Sequence, residues 1–283
     1  MELDKIITGD SAVVLQSFPP DCIDLTVTSP PYDNLRTYNG FTFDFETIAR
    51  ELFRVTKAGG VVVWVVGDAT ISGSESGTSF KQALFFKECG FNLHQTMFYE
   101  KDGLPFPPSN RYYSQVEYMF VLSKGAPKTA NLLQVKNAHA GTNSFSSFRQ
   151  QDGSQIQKDI KISKSRPRTN IWKYGTGNGK TTLDKFAFEH PAMFPEKLAS
   201  DHIETWSNPN DVVLDCFCGA GTTVKMSKML SRHYVGIEIS PEYVALAEKR
   251  LLTTNVPLFV QERGLTQRAA DGGNVAAQNE LFG

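Results

Sequence analysis

The chain has 283 residues, of which 40% are hydrophobic and 11% aromatic, and its formal net charge at pH 7 is −1. This composition predicts a globular protein with one sizeable α/β domain and an insertion, or two small domains, and the longest wholly apolar run, residues 61–66, is too short to span a bilayer. The N-terminus lacks the pattern of a signal peptide, and the four cysteines predict neither a disulfide framework nor a metal site, so we expect a cytoplasmic protein.

The first half of the chain alternates between strand and helix patterns. Apolar spacing predicts, in order, strands at 5–10 and 23–28, a helix at 45–55, a buried strand at 61–66, a helix at 80–88, and strands at 92–99 and 118–122. We expect Gly59 and Gly60 to stop the helix at 45–55 before the buried strand begins.

The same alternation returns near the C-terminus. The predicted elements are a helix at 195–206, a strand at 212–215, a helix at 222–230, a strand at 234–239 and a helix at 241–252. Ser240 and Pro241 suit the N-cap and first position of the last helix. Strands that alternate with helices imply a mostly parallel sheet covered on both faces. The polar tail at 261–283 is expected to be loose.

Positive charge is concentrated in one polar segment between these two halves. Residues 124–185 contain twelve lysines and arginines but three aspartates, a formal charge of about +9, so the rest of the chain is acidic. Few apolar residues recur there with a regular period, which predicts an irregular insertion. Such a segment either neutralises nucleic-acid phosphates or is a solvated loop with incidental lysines, and its composition leaves both interpretations open.

A glycine loop follows the strand at 212–215. Gly219 and Gly221 allow the backbone to turn and approach a ligand closely, and Glu238 ends the next strand, where a carboxylate can bind both hydroxyls of a ribose. In a dinucleotide-binding motif a third glycine follows the glycine pair, whereas here Thr222 and Thr223 follow Gly221 and the third glycine is missing. In addition, an acidic residue, Asp215, precedes the loop. These two departures favour a ligand with an amino-acid end over a pyrophosphate. The candidate ligand residues of this segment also include Phe217 and Thr223.

Asp10 follows the first predicted strand. Its carboxylate is a candidate acceptor for the amino group of an adenine, and an ordinary helix cap is an equally good interpretation of the local sequence.

The other chemical motif is Ser29-Pro30-Pro31-Tyr32, directly after the strand at 23–28. The Ser29 hydroxyl and the Pro30 carbonyl could accept from the two N–H bonds of an aromatic amine, which would free the nitrogen lone pair to attack a methyl group. The two prolines make this loop rigid, and Tyr32 could stack on a base extruded from a duplex. Taken alone, the motif is also compatible with a plain loop after a strand.

Together these motifs resemble the permuted β class of DNA amino-methyltransferases, in which the catalytic motif comes first, the target-recognition region second and the cofactor loop last. The resemblance covers nearly the whole chain and includes Glu117-Tyr118-Met119-Phe120-Val121-Leu122-Ser123-Lys124 and the segment His190-Pro191-Ala192-Met193-Phe194-Pro195-Glu196-Lys197-Leu198. It implies a Rossmann-like class I methyltransferase fold in a protein of prokaryotic or phage origin. The catalytic domain would comprise 1–124 and 186–260, and the target-recognition insertion 125–185.

The resemblance also implies ligands and partners. S-adenosylmethionine would be the cofactor, with Pro195 and Leu198 beside its methionine part, and double-stranded DNA the substrate. Serine before Pro-Pro favours methylation of cytosine N4, with adenine N6 as the first alternative and a silent DNA-binding subunit or an RNA base methyltransferase as the second. A cognate restriction endonuclease and a homodimer are possible partners. The candidate DNA contacts are Arg36, Arg111, Lys161, Lys164, Arg166 and Arg168.

Overall fold

The computed structural model describes residues 1–32, 43–103, 110–177 and 179–254, apart from the side chains of residues 145, 146 and 158. The strands are β1 (Lys5–Thr8), β2 (Ile23–Thr28), β3 (Thr56–Val66), β4 (Thr70–Ile71), β5 (Ser74–Glu75), β6 (Asn92–Lys101), β7 (Val116–Ser123), β8 (Gln134–Lys136), β9 (Asn143–Arg149), β10 (Gln155–Lys161), β11 (Ser165–Pro167), β12 (Ile171–Tyr174), β13 (Val212–Asp215) and β14 (His233–Glu238). The helices are α1 (Ser11–Gln16), α2 (Phe45–Val55), α3 (Thr78–Glu88), α4 (Glu196–Trp206), α5 (Thr222–Met229) and α6 (Pro241–Thr253), with a 3-10 helix at Lys185–Glu189.

A central eight-stranded sheet has the order β1-β14-β13-β2-β3-β7-β6-β12. All neighbours pair in parallel except β7, which runs antiparallel to both β3 and β6. The predicted mostly parallel sheet is confirmed. Because β1, β14, β13 and β2 are adjacent and parallel, their carboxyl ends share one edge, which is where open α/β sheets bind ligands.

Helices cover both faces of this sheet, and the side chains of β3, which point alternately to the two faces, show this most clearly. Val62, Trp64 and Val66 pack with α1, α2 and α3, whereas the intervening valines pack with α4 and α5 on the other face. A strand buried on both faces has no polar side to alternate with, which explains its continuous apolar sequence. Within the described parts of the chain, the helices are too short or too polar to cross a membrane.

The predicted role of Gly59 and Gly60 as a helix stop was wrong. Helix α2 ends at Val55, and both glycines lie inside β3, which starts at Thr56. The pairing of β2 with β3 shifts register between Ile23 and Leu25, so the extra residues of β3 bulge there. A Cβ on Gly60 would lie 2.9 Å from the Asp24 carbonyl oxygen, so the bulge requires glycine at this position.

The basic segment is more ordered than its sequence predicted. Strands β9 and β10 form one antiparallel ribbon, β8 and β11 form another, and β12 joins the edge of the central sheet beside β6. The prediction of an irregular insertion was therefore wrong, because ribbons exposed on both faces need no apolar alternation to mark their strands. The domain boundaries at 125 and 185 stay a prediction, although β12 lies between them and belongs to the central sheet.

A buried ion network ties α4, α5 and α6 together behind the glycine loop. The Arg250 guanidinium is fully buried, donates to Asp184 at 3.0 Å and to Glu196 at 2.6 Å, and reaches the Ala220 carbonyl at 2.7 Å. Lys225 pairs with the same two carboxylates at 2.7 Å. Burial raises the pKa of Asp184, but hydrogen bonds from Lys225 and Arg250 outweigh it and the pKa is lowered.

Arg250→Met should lower the free energy of unfolding by roughly 3–5 kcal/mol, because it removes a fully buried cation from two partly buried carboxylates. Urea denaturation measures this loss. Arg50→Met is the matched control, since Arg50 forms an exposed pair with Glu46 on α2, and its effect should stay under about 1 kcal/mol. Equal effects of the two substitutions would contradict the structural role of the buried network.

Candidate functional site

A large cavity opens at the carboxyl ends of the four adjacent parallel strands. It has a volume of about 650 Å³, within the range of roughly 300–1,000 Å³ typical of small-molecule sites. Each of these strands contributes a polar side chain to its wall: Asp10 follows β1, Ser29 follows β2, Asp215 ends β13 and Glu238 ends β14. The sheet thus brings together four predicted site residues that are far apart in sequence.

Asp215 is the most deeply buried carboxylate of this site, with an exposed fraction of 2%. It accepts from the Thr28 hydroxyl at 2.6 Å and from the Phe217 backbone N–H at 3.1 Å. Burial raises the pKa of Asp215 to about 6, against the lowering effect of these hydrogen bonds. No lysine or arginine in the described ranges forms an ion pair with it, so the cavity offers an anionic site to a cationic ligand group.

Glu238 shapes the glycine loop as well as the cavity wall. Its two carboxylate oxygens accept from the backbone N–H groups of Gly219 at 2.8 Å and Ser240 at 2.9 Å. Gly219 has a φ of +49° and Gly221 a φ of +78°, a backbone conformation in which a Cβ is strained. Gly219, Phe217 and Thr222 line the cavity together with Glu238.

Asp10 is a helix cap that also lies in the cavity wall. Its side chain caps α1 by accepting from the Ala12 N–H at 2.7 Å, and it also lines the cavity. The adenine contact stays a prediction.

The Ser-Pro-Pro-Tyr segment forms another part of the same wall, and all four of its residues line the cavity. The Ser29 hydroxyl donates to the Tyr32 hydroxyl at 3.0 Å, and Tyr32 donates to Glu117 at 3.1 Å. Lys101 forms an ion pair with the other oxygen of Glu117. The predicted clamp therefore stands in one cavity with Asp215 and Glu238, on a hydrogen-bonded support.

Four residues predicted to bind the cofactor do not line the cavity. Leu198 is fully buried against the sheet and Pro195 is buried at the N-cap of α4, whereas residues 191–194 of the same segment line the cavity. Thr223 donates to the Val27 carbonyl at 3.0 Å beneath the loop, and Gly221 packs against α6. These four residues support the site from behind.

The candidate DNA contacts fall into different environments. Lys161, Lys164 and Arg166 are exposed on or beside the ribbons of the basic segment, and Arg111 is exposed next to the β4–β5 hairpin. Arg168 does not belong with them, because it pairs with the buried Asp201 at 2.7 Å and lies over the ring of Trp172. Arg36 lies outside the described residues, as does the tail at 261–283.

Sequence reasoning missed several residues of the cavity wall. His190 packs against Tyr243 with ring centroids 4.4 Å apart and covers Gly219. Glu117 and Lys101 flank the clamp. The segments that contain His190 and Glu117 carry minor motifs of the family, and this was the one available signal. Cys216 and Cys218 are buried, and burial raises the pKa of both thiols.

A family model for DNA methylases matches residues 23–249 of the chain. This chain belongs to the DNA methylase family. The match includes the clamp, the glycine loop and Glu238, and the predicted membership of the N4/N6 amino-methyltransferases is confirmed.

Similar proteins agree with this assignment. The orphan methyltransferase M.BamHII of Bacillus amyloliquefaciens is 56% identical over 237 residues, which cover 82% of this chain and 89% of the relative. The type II methyltransferase M.SmaI of Serratia marcescens is 26% identical over 290 residues, covering 88% of this chain and 90% of the relative. TTHA0409 of Thermus thermophilus, solved with S-adenosyl-L-methionine, is similar in structure, with a TM-score of 0.63, 26% identity and coverage of 89% of this chain and 94% of the other. The class I methyltransferase fold is thereby confirmed.

Gly221→Ala should lower the free energy of unfolding by more than the strain of its positive φ alone, because the new methyl group would also clash with α6. Its new Cβ would lie 2.7 Å from the Ala247 Cβ, whereas at Gly77, which has a similar φ of +66°, a Cβ would meet nothing within 4 Å. We expect Gly77→Ala to cost about 1–2 kcal/mol of unfolding free energy, and Gly221→Ala about 1–3 kcal/mol more. Thermal and urea unfolding of both variants measure the difference. Equal losses would contradict the prediction, because they would mean that α6 moves to accommodate the methyl group.

Proposed function

We propose that this DNA methylase transfers a methyl group from S-adenosylmethionine to the exocyclic N4 of a cytosine that is flipped out of duplex DNA. The observation that carries this proposal is the shared cavity, in which Ser29 and Pro30 stand with Asp215 and Glu238. One site thus combines acceptors for an aromatic amine with carboxylates for a cationic, ribose-containing ligand. Adenine N6 is the alternative target.

The residues of the cavity fit S-adenosylmethionine, the cofactor of this family. Asp215 is buried with no described cation beside it, which suits the ammonium group of the methionine part. Glu238 ends the strand next to it, where its carboxylate can accept from ribose hydroxyls, and Asp10 can accept from the adenine amino group. When bound, the cofactor supplies an electrophilic methyl group on a sulfonium sulfur.

The clamp makes a weak nucleophile reactive. The lone pair of an aromatic amine is delocalised into the ring, and acceptors on both of its N–H bonds favour a tetrahedral nitrogen whose lone pair is localised. The Ser29 hydroxyl donates to Tyr32 and so keeps its own lone pairs available to accept from the amine. Proline at positions 30 and 31 fixes the backbone that presents the second acceptor, the Pro30 carbonyl.

Serine at position 29 supports cytosine N4 over adenine N6, because family members with Asp or Asn before Pro-Pro mostly methylate adenine. The exposed Lys161, Lys164 and Arg166 support phosphate binding by the basic segment. Target recognition by residues 125–185, a cytoplasmic location, a cognate endonuclease and a homodimer stay predictions.

Nucleoside mass spectrometry of duplex DNA after incubation with the chain and S-adenosylmethionine tests the proposal. N4-methylcytosine is the expected product, and N6-methyladenine would keep the mechanism but overturn the choice of base. Ser29→Ala should bind the cofactor normally, as calorimetry would show, while turnover falls by about 100-fold or more because one acceptor is lost. Normal turnover of Ser29→Ala would contradict the role assigned to its hydroxyl, and unmodified DNA with the wild type would favour a silent subunit or an RNA substrate.

Cofactor affinity should depend on pH through Asp215. Above its pKa of about 6 the carboxylate is ionised and attracts an ammonium group, so affinity should fall as pH drops below about 6, by at most about tenfold per pH unit. Asp215→Asn should bind weakly and lose this pH dependence, which calorimetry from about pH 5 to about pH 8 measures. Asp211→Asn, at the opposite end of β13, is the control and should keep the dependence. A pH-independent wild type would contradict the assignment.

A further inference from the structure

A chain of hydrogen bonds lies behind Ser29 and leads away from the reacting amine. Ser29 Oγ is 3.0 Å from Tyr32 Oη, and Tyr32 Oη is 3.1 Å from Glu117 Oε2. Glu117 Oε1 is paired with the Lys101 ammonium. All four side chains line the cavity, so this series of hydrogen bonds belongs to the wall that faces the target base in the proposed function. The inference rests on that function.

Lys101 and Glu117, at the end of the series away from Ser29, determine which atom donates in each hydrogen bond. The Lys101 ammonium can only donate, and the Glu117 carboxylate can only accept. The Tyr32 hydroxyl therefore donates its hydrogen to Glu117, and the Val65 carbonyl, 3.4 Å away, is a second acceptor within reach. The lone pairs of Tyr32 Oη then accept the Ser29 hydroxyl hydrogen, so that Ser29 presents only lone pairs to the cavity.

This direction matters because serine, unlike aspartate, can donate as well as accept. If the Ser29 hydroxyl hydrogen pointed toward the amine, it would face the amine N–H hydrogen, and Ser29 could not accept a hydrogen bond from it. The nitrogen lone pair would then stay delocalised into the ring. We propose that Glu117, held by Lys101, is a positioning residue that acts through Tyr32 to keep Ser29 an acceptor.

The fold places the Glu117–Lys101 pair beside the clamp, whereas a second Glu–Lys pair on the same strand lies away from the cavity. Glu117 lies on β7 and Lys101 ends β6, so the antiparallel pairing of these strands brings the pair to the cavity edge. The Glu117 side chain is 17% exposed and that of Lys101 is 34% exposed, so water screens the pair only in part. On the same strand β6, Glu100 pairs with Lys173 on β12 at 2.9 Å, and neither of them lines the cavity.

Glu117→Gln, Tyr32→Phe and the double variant test the proposal. In Glu117→Gln the amide oxygen faces Lys101 and the amide N–H₂ faces Tyr32, so Tyr32 can turn its hydrogen toward Ser29, which at 3.0 Å is nearer than the Val65 carbonyl. We expect kcat to fall by about 10- to 100-fold with unchanged cofactor affinity. Tyr32→Phe removes the misdirected hydroxyl, so the double variant should be faster than Glu117→Gln and as fast as Tyr32→Phe alone.

Two further measurements separate positioning from a merely structural role. Glu100→Gln removes a matched Glu–Lys pair on β6 and should leave kcat unchanged. Urea unfolding of the wild type, both single variants and the double variant, without cofactor or DNA, should show non-additive midpoints, because Tyr32 and Glu117 share one hydrogen bond.

The inference is overturned if Glu117→Gln slows the reaction by the same factor with and without Tyr32, if it acts on cofactor affinity instead of kcat, or if the unfolding midpoints are additive. A wild-type chain that methylates no base would overturn the proposed function and the inference with it. An active wild type with additive substitutions would overturn the inference alone.

Discussion

The hydrogen bond from Thr28 to Asp215, 2.6 Å long, joins the two motifs on which the site depends. Thr28 is the last residue of β2 and precedes the clamp, while Asp215 is the last residue of β13 and precedes the glycine loop. Both side chains are buried, so the bond is protected from competition with water. The Asp215 carboxylate also accepts from the Phe217 N–H, and it therefore fixes the start of the cofactor loop and the start of the clamp at once.

The loop that this carboxylate anchors in front is also held by groups behind it and beside it. Arg250 binds the Ala220 carbonyl, Thr223 binds the Val27 carbonyl, and Glu238 binds the Gly219 N–H. Because these partners come from α5, α6, β2 and β14, the shape of the loop is determined by tertiary contacts rather than by its glycines alone. Residues near a cofactor motif thus divide into those that face the cavity and those that hold the first group in place.

The sequence predicted those parts of the molecule that depend on local signals. The bounds of α2 and the carboxylates at the ends of β13 and β14 follow from apolar spacing and from motifs that are contiguous in the chain. The partnership of Glu117 with Lys101 depends instead on the register of β6 with β7, and that of Arg168 with Asp201 on how α4 packs against the sheet. Leu198 and Thr223 carry family motifs but face inward, and only the three-dimensional packing reveals this. The ribbons of the basic segment were missed because they are exposed on both sides.

Charge is separated in this chain in a way that serves both of its ligands. The cavity wall carries Asp10, Asp215 and Glu238, whereas the exposed cations Lys161, Lys164 and Arg166 lie on the basic segment. An acidic cavity attracts a cofactor that carries ammonium and sulfonium charges, and it repels phosphates. In the proposed function, a flipped base would enter this cavity, and the basic segment stays the predicted site for the phosphates. The near-zero net charge of the chain conceals this division, because the basic segment and the acidic remainder nearly cancel.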